Sequence, residues 1–212
     1  MGKTGHEYCV HNGFNRSHVG KYVYSFATCI SWAVVYFLLK FLGGLSPYWN
    51  IIFSSIITAL LFLAFYFLFD KWIWKTGWFF KILKYPDISG QWICKGISDY
   101  KEETTEMIKH GLEWEGKVTI LQSWDKVRIR LETDYSTSDS ISAAIIYDEI
   151  EEYKILYSYE NCPKNLDHEE LRIHRGFVEL TLHKDNKSAS AKYYNVTGRR
   201  TMGSMIWKKL DG

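Results

Sequence analysis

The chain has 212 residues, room for a membrane segment and one soluble domain, and its 47% hydrophobic content excludes an intrinsically disordered protein. Its charge is divided: residues 1–85 hold eight Lys/Arg against two Asp/Glu, and the remainder holds eighteen against twenty-two. The basic part suits an anionic membrane face, and the acidic part lacks the broad basic surface of a DNA or RNA binder.

Residues 1–21 are polar and are expected to form a loose cytoplasmic tail. Cys9 and His11, with His6 and His18 nearby, lack the four well-spaced ligands of structural zinc, so no metal is assigned. The other cysteines, Cys29, Cys94 and Cys162, share no CxxC spacing and read as free thiols.

Residues 22–85 read as a transmembrane helical hairpin with an interfacial extension. The run Ile51–Phe69 contains no charge, and its 19 residues would span about 28 Å as a helix, close to the roughly 30 Å of a hydrocarbon core. The run Tyr22–Leu39 is just long enough to match it, and Gly43, Gly44 and Pro47 mark the turn. This first run is too long for a signal peptide and a second follows at once, so an uncleaved span is expected. Lys3, Arg16 and Lys21 precede the hairpin, and Lys71, Lys75, Lys81 and Lys84 follow it. The positive-inside bias therefore puts both termini in the cytoplasm. Tyr22, Tyr24, Tyr48, Trp49, Trp72, Trp74 and Trp78 fall at the interfacial belts. Ser25, Ala27, Ser31, Ser54, Ser55, Thr58 and Ala59 are small enough to allow close helix contact. Lys71–Lys84 either prolongs the second helix or lies along the interface, and Pro86 ends it.

Residues 86–212 change to a period of two. Eight runs rich in β-branched and aromatic residues follow, separated by turn-like pieces at Trp124–Lys126, Asn161–Asn165 and Lys184–Lys187. Val127, Ile129 and Leu131 fall on one face and Arg128, Arg130 and Glu132 on the other. Lys101–His110 reads as a short helix or a loop. An all-β domain follows, and a small eight-stranded antiparallel up-and-down barrel, lipocalin-like, accounts for it best because closure removes exposed edges; a two-sheet sandwich is the competing architecture. No HExxH, GxSxG or P-loop occurs. The acidic groups Asp148, Glu149, Glu151 and Glu152 read as a solvated strand end, and Glu113 and Glu115 have no nucleophile beside them. No catalytic residue is assigned, and the chain reads as a binding protein rather than an enzyme.

Gly90-Gln91-Trp92 resembles the G-x-W that opens lipocalin-like barrels. The hairpin, the PDISGQW entry, Tyr157–Asn161 before Pro163, and Tyr193-Tyr194-Asn195 leading into Arg199–Ser204 together resemble the two-transmembrane, β-strand-rich effectors of bacterial CBASS anti-phage systems, the SMODS-associated membrane effectors. That resemblance implies a cyclic dinucleotide ligand made by a partner cyclase and no cofactor. It also implies residence in the bacterial inner membrane, homo-oligomerisation on activation, and membrane disruption that aborts infection.

Such a ligand needs cations for its phosphates and flat partners for its bases. Arg199, Arg200, Thr201 and Ser204 are candidate phosphate contacts, with a solvated basic turn as the alternative. Strand alternation lets only one of the two arginines face inward, and Gly203 allows close approach. Tyr157 and Tyr159 share a face and are candidate base platforms, or core packing. His174 is a further candidate lining residue. A membrane-tethered carrier of a small apolar ligand is the alternative function, and it requires an almost wholly apolar cavity.

Overall fold

The structure is a computed structural model that describes residues 5–13, 16–42, 47–101, 108–150, 152–164, 173–195 and 200–210. Two compact units emerge: Phe14–Leu83, and a second made of Met1–Gly13 with Lys84–Gly212.

In the first unit, α1 (Arg16–Leu42) and α2 (Pro47–Lys71) are both long and apolar enough to cross a membrane. Most of their large side chains, among them Trp32, Phe41, Ile51, Leu60 and Leu63, are exposed, as suits a lipid-facing helix and not a soluble one. Hydroxyls in these helices bond back to their own backbone: Thr28 to the Tyr24 carbonyl at 2.9 Å, and Ser55 to that of Ile51 at 2.9 Å. One pair bridges the helices, Ser31 Oγ with Thr58 Oγ1 at 2.8 Å, beside a fully buried Ala27. Edge-to-face rings flank it, Tyr24 with Phe62 and Phe26 with Phe65. Ala27, Ser31 and Thr58 are thus used within the hairpin, while Ser25, Ser55 and Ala59 remain exposed. After α2 comes a 3₁₀ turn (Ile73–Lys75), whose Trp74 indole donates back to the Asp70 carbonyl of α2, and then α3 (Gly77–Leu83).

The second unit is all β. Its strands are β1 (His6–His11), β2 (Gly90–Lys101), β3 (Ile108–Gln122), β4 (Lys126–Glu132), β5 (Ser136–Asp148), β6 (Glu152–Pro163), β7 (His174–Leu182), β8 (Ser188–Asn195) and β9 (Arg200–Lys209). They close in the order β1-β4-β3-β2-β9-β8-β7-β6-β5. Strands β2 to β9 are the eight expected from the sequence, each antiparallel to its neighbours, with β9 returning to β2.

Two expectations need correction. Among the described residues the ring has nine strands rather than eight, and not every pair is antiparallel: β1 runs parallel to β5, Tyr8 opposite Ala143 through His11 opposite Ile146. The N-terminal segment is therefore not all loose tail, since Tyr8 is buried in the ring. Its polar composition hid this, because only one of six side chains in β1 is buried. A smaller difference concerns the turn expected at Asn161–Asn165. Strand β6 runs on to Pro163 opposite Ser136, and a proline is tolerated there because it ends the strand. Residues 102–107 lie outside the described residues; the flanking Lys101 and Ile108 are paired strand.

The interior has two poles. At the entry pole, where residues 85–89 lead into β2, Tyr85 stacks on Trp124 with centroids 4.5 Å apart. The buried Gln122 amide accepts from Ile88 N at 2.9 Å and donates to the Pro86 carbonyl at 3.1 Å and to Tyr8 Oη at 3.3 Å. The Trp92 indole donates to the Ile88 carbonyl at 3.0 Å. Behind this seal Trp92, Ile120, Ile129, Ile155, Leu180, Leu182 and Trp207 fill the ring, leaving an apolar cavity of about 10 Å³, room for no more than about one water. A carrier for an apolar ligand would need this space empty, and it is packed.

A candidate ligand site at the far pole

The far pole is built by alternation. Inward positions that are Ile, Leu and Trp near the entry become Ser98, Trp114, Tyr157, Tyr159, Asn161, Tyr193, Asn195 and Thr201 at the other end of the same strands. Register brings them together: Ser98 lies opposite Gly203, Tyr193 opposite Gly203 and Val178, Tyr157 opposite Val178, Tyr159 opposite Gly176, and Asn161 opposite His174.

Three inward glycines shape this wall. A Cβ at Gly96 would strike the Trp114 indole, one at Gly176 the Tyr159 ring and the Tyr194 carbonyl, and one at Gly203 the Ile97 carbonyl and the Tyr193 ring. Each aromatic is the cross-strand partner of its glycine. The rings therefore lie over glycine backbone and not across the lumen, an arrangement only glycine permits. Two of these rings also meet: Trp114 Nε1 donates to Tyr193 Oη at 3.2 Å, and Ser98 Oγ shares a hydrogen bond with the same phenol.

The polar groups here are buried and mostly committed. Asn161 Oδ1 accepts from Ser138 Oγ at 2.7 Å, and Asn195 Oδ1 accepts from Thr201 N at 2.6 Å. Asn195 is 6% exposed, yet its Nδ2 has no partner among the described residues. An unpaired buried donor costs about 1–3 kcal/mol, so this amide is poised for an acceptor. Tyr159 packs edge-to-face with His174, with centroids 6.3 Å apart. Burial pushes the phenols of Tyr157, Tyr159 and Tyr193 above their ordinary range, and deeper in the ring it pushes the Cys94 thiol up to about 12. All four stay protonated at neutral pH and add no negative charge against an anionic ligand.

The sequence candidates divide. Tyr157, Tyr159, His174 and Thr201 belong to this inner wall. Arg200 and Ser204 lie on the outer face with the exposed Met202 and Ile206, so they are not brought to the interior. Arg199 lies outside the described residues, as do residues 165–172 and 196–198. Arg175, another arginine among the described residues near the pole, is exposed and bonded to Glu160 at 3.0 Å. Trp114, Tyr193, Asn195 and Ser98 were not singled out as ligand contacts by sequence reasoning. Their signal was present in the glycines: a glycine inside a strand marks a close approach, and three such glycines each face an aromatic residue.

The comparisons with known proteins agree with this division into hairpin and ring. Residues 17–75 match the family described as "Cap15, TM helices", and residues 83–209 match "Cap15, cyclic dinucleotide receptor domain". A protein named CD-NTase-associated protein 15 from Yersinia aleksiciae is 37% identical over 97% of this chain and 98% of its own length. One of the same name from Staphylococcus schleiferi is 28% identical over 84% of this chain and 91% of its own. Among solved structures, the ywiB protein from Bacillus subtilis aligns over 59% of this chain and 95% of its own, with 4% identity and a TM-score of 0.24, too low to bear on the fold. The chain belongs to the Cap15 family, a CBASS-associated family of antiviral defence, and carries both of its parts, the transmembrane helices and the cyclic dinucleotide receptor domain.

Proposed function

We propose that the chain is an anti-phage effector that senses a cyclic dinucleotide at the far pole of its ring, oligomerises, and disrupts the inner membrane. The observation that carries the ligand site is the wall of glycine-backed aromatics beside Asn195 Nδ2, which has no hydrogen-bond partner among the described residues. Trp114, Tyr159 and Tyr193 offer ring faces for bases, and stacking on an aromatic is worth about 1–3 kcal/mol per base. Asn195 Nδ2 is a donor for a base or phosphate oxygen. The sealed entry pole leaves the far pole as the approach to the interior.

The phosphate contact proposed here is Arg199, which in the sequence alternates in step with Thr201 and Gly203. Arg200, which faces outward, is not part of the site. Both spans are apolar enough to reside in the bilayer before any signal, so the ligand acts on their association, and both termini face the cytoplasm where a partner cyclase delivers the ligand. One hairpin is too few helices to enclose a water path, so several copies gather. A receptor-effector of this kind needs no catalytic residue.

The test is calorimetry of the full-length protein in detergent against a panel of cyclic dinucleotides, followed by the two arginine variants. Removing one charge-assisted bond costs about 1.5–3 kcal/mol, so Arg199→Ala should weaken binding about tenfold or more, while Arg200→Ala leaves it unchanged. The reverse order would move the phosphate site to the outer face.

A further inference from the structure

Strand β1 holds the ring differently from every other strand. Strands β4 and β5 pair directly only where Arg130–Glu132 faces Thr137–Asp139. Beyond that they part, and β1 fills the gap, with His6 and Glu7 opposite Val127 and Lys126 of β4, and Tyr8–His11 opposite Ala143–Ile146 of β5. No hairpin turn joins β1 to either neighbour, whereas β2 to β9 follow one another in chain order. It can therefore leave without breaking any pair among the other eight.

Its hold is slight and specific. Tyr8 is its one buried side chain, with Oη donating to the Ser123 carbonyl at 3.2 Å and accepting from Gln122. His6 Nε2 meets Ser140 Oγ at 2.7 Å, and Asn12 Nδ2 donates to the Tyr147 carbonyl at 3.2 Å. A vacated seat would bare strand edges on β4 and β5, and bare edges take up another strand. The strand that fits is one with tyrosine in the third place and these same polar ends, which every other copy of this chain carries.

We infer that β1 exchanges between copies, the β1 of one protein seating between β4 and β5 of the next. Exchange restores each contact, so its cost is small, and the short connection from Asn12 to α1 at Arg16 favours it. Each copy gives one strand and receives one, a head-to-tail arrangement with no fixed limit on number. Because α1 follows β1 directly, seating the strand in another ring gathers hairpins. A link to the far pole exists at Ser140: it lies opposite Tyr159, at the start of a β-bulge in β5, and its hydroxyl holds both His6 and Ile129 N. A ligand that moves Tyr159 acts on the residue that anchors the start of β1. This mechanism rests on the assembly reading above.

Cys9 and Ala144 are parallel partners in the seam, so a cysteine at 144 reports where β1 sits. Full-length protein carrying Cys29→Ser and Cys162→Ser is made in two tagged forms, one with native Cys9 and Ala144, the other with Cys9→Ser and Ala144→Cys. The two are mixed in lipid vesicles and oxidised; a single chain carrying both Cys9 and Ala144→Cys reports the unexchanged seat. A mixed disulfide should grow with protein density in the vesicle, and grow further with whichever of cyclic di-GMP, cyclic di-AMP or cyclic GMP–AMP binds. Oxidising the single-chain reporter before reconstitution should abolish dye leakage while the protein still binds ligand, more weakly by the factor through which ligand promotes exchange, and reduction should restore leakage. Absence of mixed product at every density, with the single-chain disulfide forming readily, overturns the exchange. So does full leakage from the locked protein, a result that leaves the ligand reading intact. Failure of every dinucleotide to bind would count against the ligand reading alone, because the density dependence tests exchange without ligand.

Discussion

The two poles of the ring use the same strands and the same alternation for opposite ends. At the entry pole, inward positions hold Trp92, Ile120, Ile155, Leu182 and Trp207, all but fully buried, around a cavity of about 10 Å³. At the far pole the same strands turn in Ser98, Asn161, Tyr193, Asn195 and Thr201, and Gly96, Gly176 and Gly203 seat aromatic rings against their backbone. A ring of this size can be filled or left open according to what its inward positions carry. Here one end is apolar and packed, and the other carries the polar groups and the glycine-backed rings.

That contrast breaks most sharply at the entry pole. Trp207→Ala should cost about 3–5 kcal/mol, because large-to-small changes in a packed core lose transfer energy and leave a cavity. Thermal unfolding of the full-length protein in detergent, followed by near-ultraviolet circular dichroism, should show the ring melting far earlier. A change under about 1 kcal/mol would mean that this pole is not the packed one.

At the far pole the same logic runs in reverse, since adding an atom there is harmful. Gly96→Ala places a methyl against Trp114, and overpacking typically costs about 1–3 kcal/mol. All three nearest atoms belong to the Trp114 indole, so Trp114→Leu in the same chain should recover most of the stability. Recovery of stability without recovery of ligand affinity would assign Trp114 to binding; no recovery of either would mean the clash lies elsewhere.

The poles also differ in titration. The buried phenols and the Cys94 thiol are raised by burial, so their contribution to stability is complete below their unfolded values and is lost as pH rises through the folded ones. Between pH 9 and 10 the unfolded Cys94 thiol, with its ordinary value of 9.0, ionises while the folded one at about 12 does not; stability should fall by about 1 kcal/mol by pH 10. Cys94→Ala should flatten that first decline, and phenylalanine at Tyr157 and Tyr159 the steeper one above pH 10. An alkaline slope unchanged in all three variants would contradict the burial of these groups.

Much of this was legible in the sequence because it rests on local rules. The uncharged run Ile51–Phe69 spans a bilayer wherever it is placed, and Val127, Ile129 and Leu131 alternate inward in any closed sheet. Strand β1 was hidden because its pairing is wholly non-local: Tyr8–His11 meets β5 more than 130 residues later in the chain, and with one buried side chain in six its composition is that of a tail. The site divided for a related reason. The shared inner face of Tyr157 and Tyr159 followed from period-two alternation, whereas Thr201 stood out only for its hydroxyl beside the arginines and His174 only as a candidate lining residue. Alternation alone could not say which face the adjacent arginines would use, and of the two only Arg200 is described, on the outer face. Trp114 and Tyr193 are ordinary strand aromatics until register sets each against a glycine, and register is a property of two segments at once.

The most direct test is the effect of each pole on ligand affinity, measured by calorimetry of full-length protein with the dinucleotide it binds. Tyr159→Leu and Tyr193→Leu should each weaken binding about tenfold, the loss of one base-stacking or hydrogen-bonding face, whereas Ile129→Val at the entry pole should lower stability modestly and leave affinity unchanged. Unaltered affinity in both tyrosine variants, with the ring still folded, would contradict a binding site at the far pole.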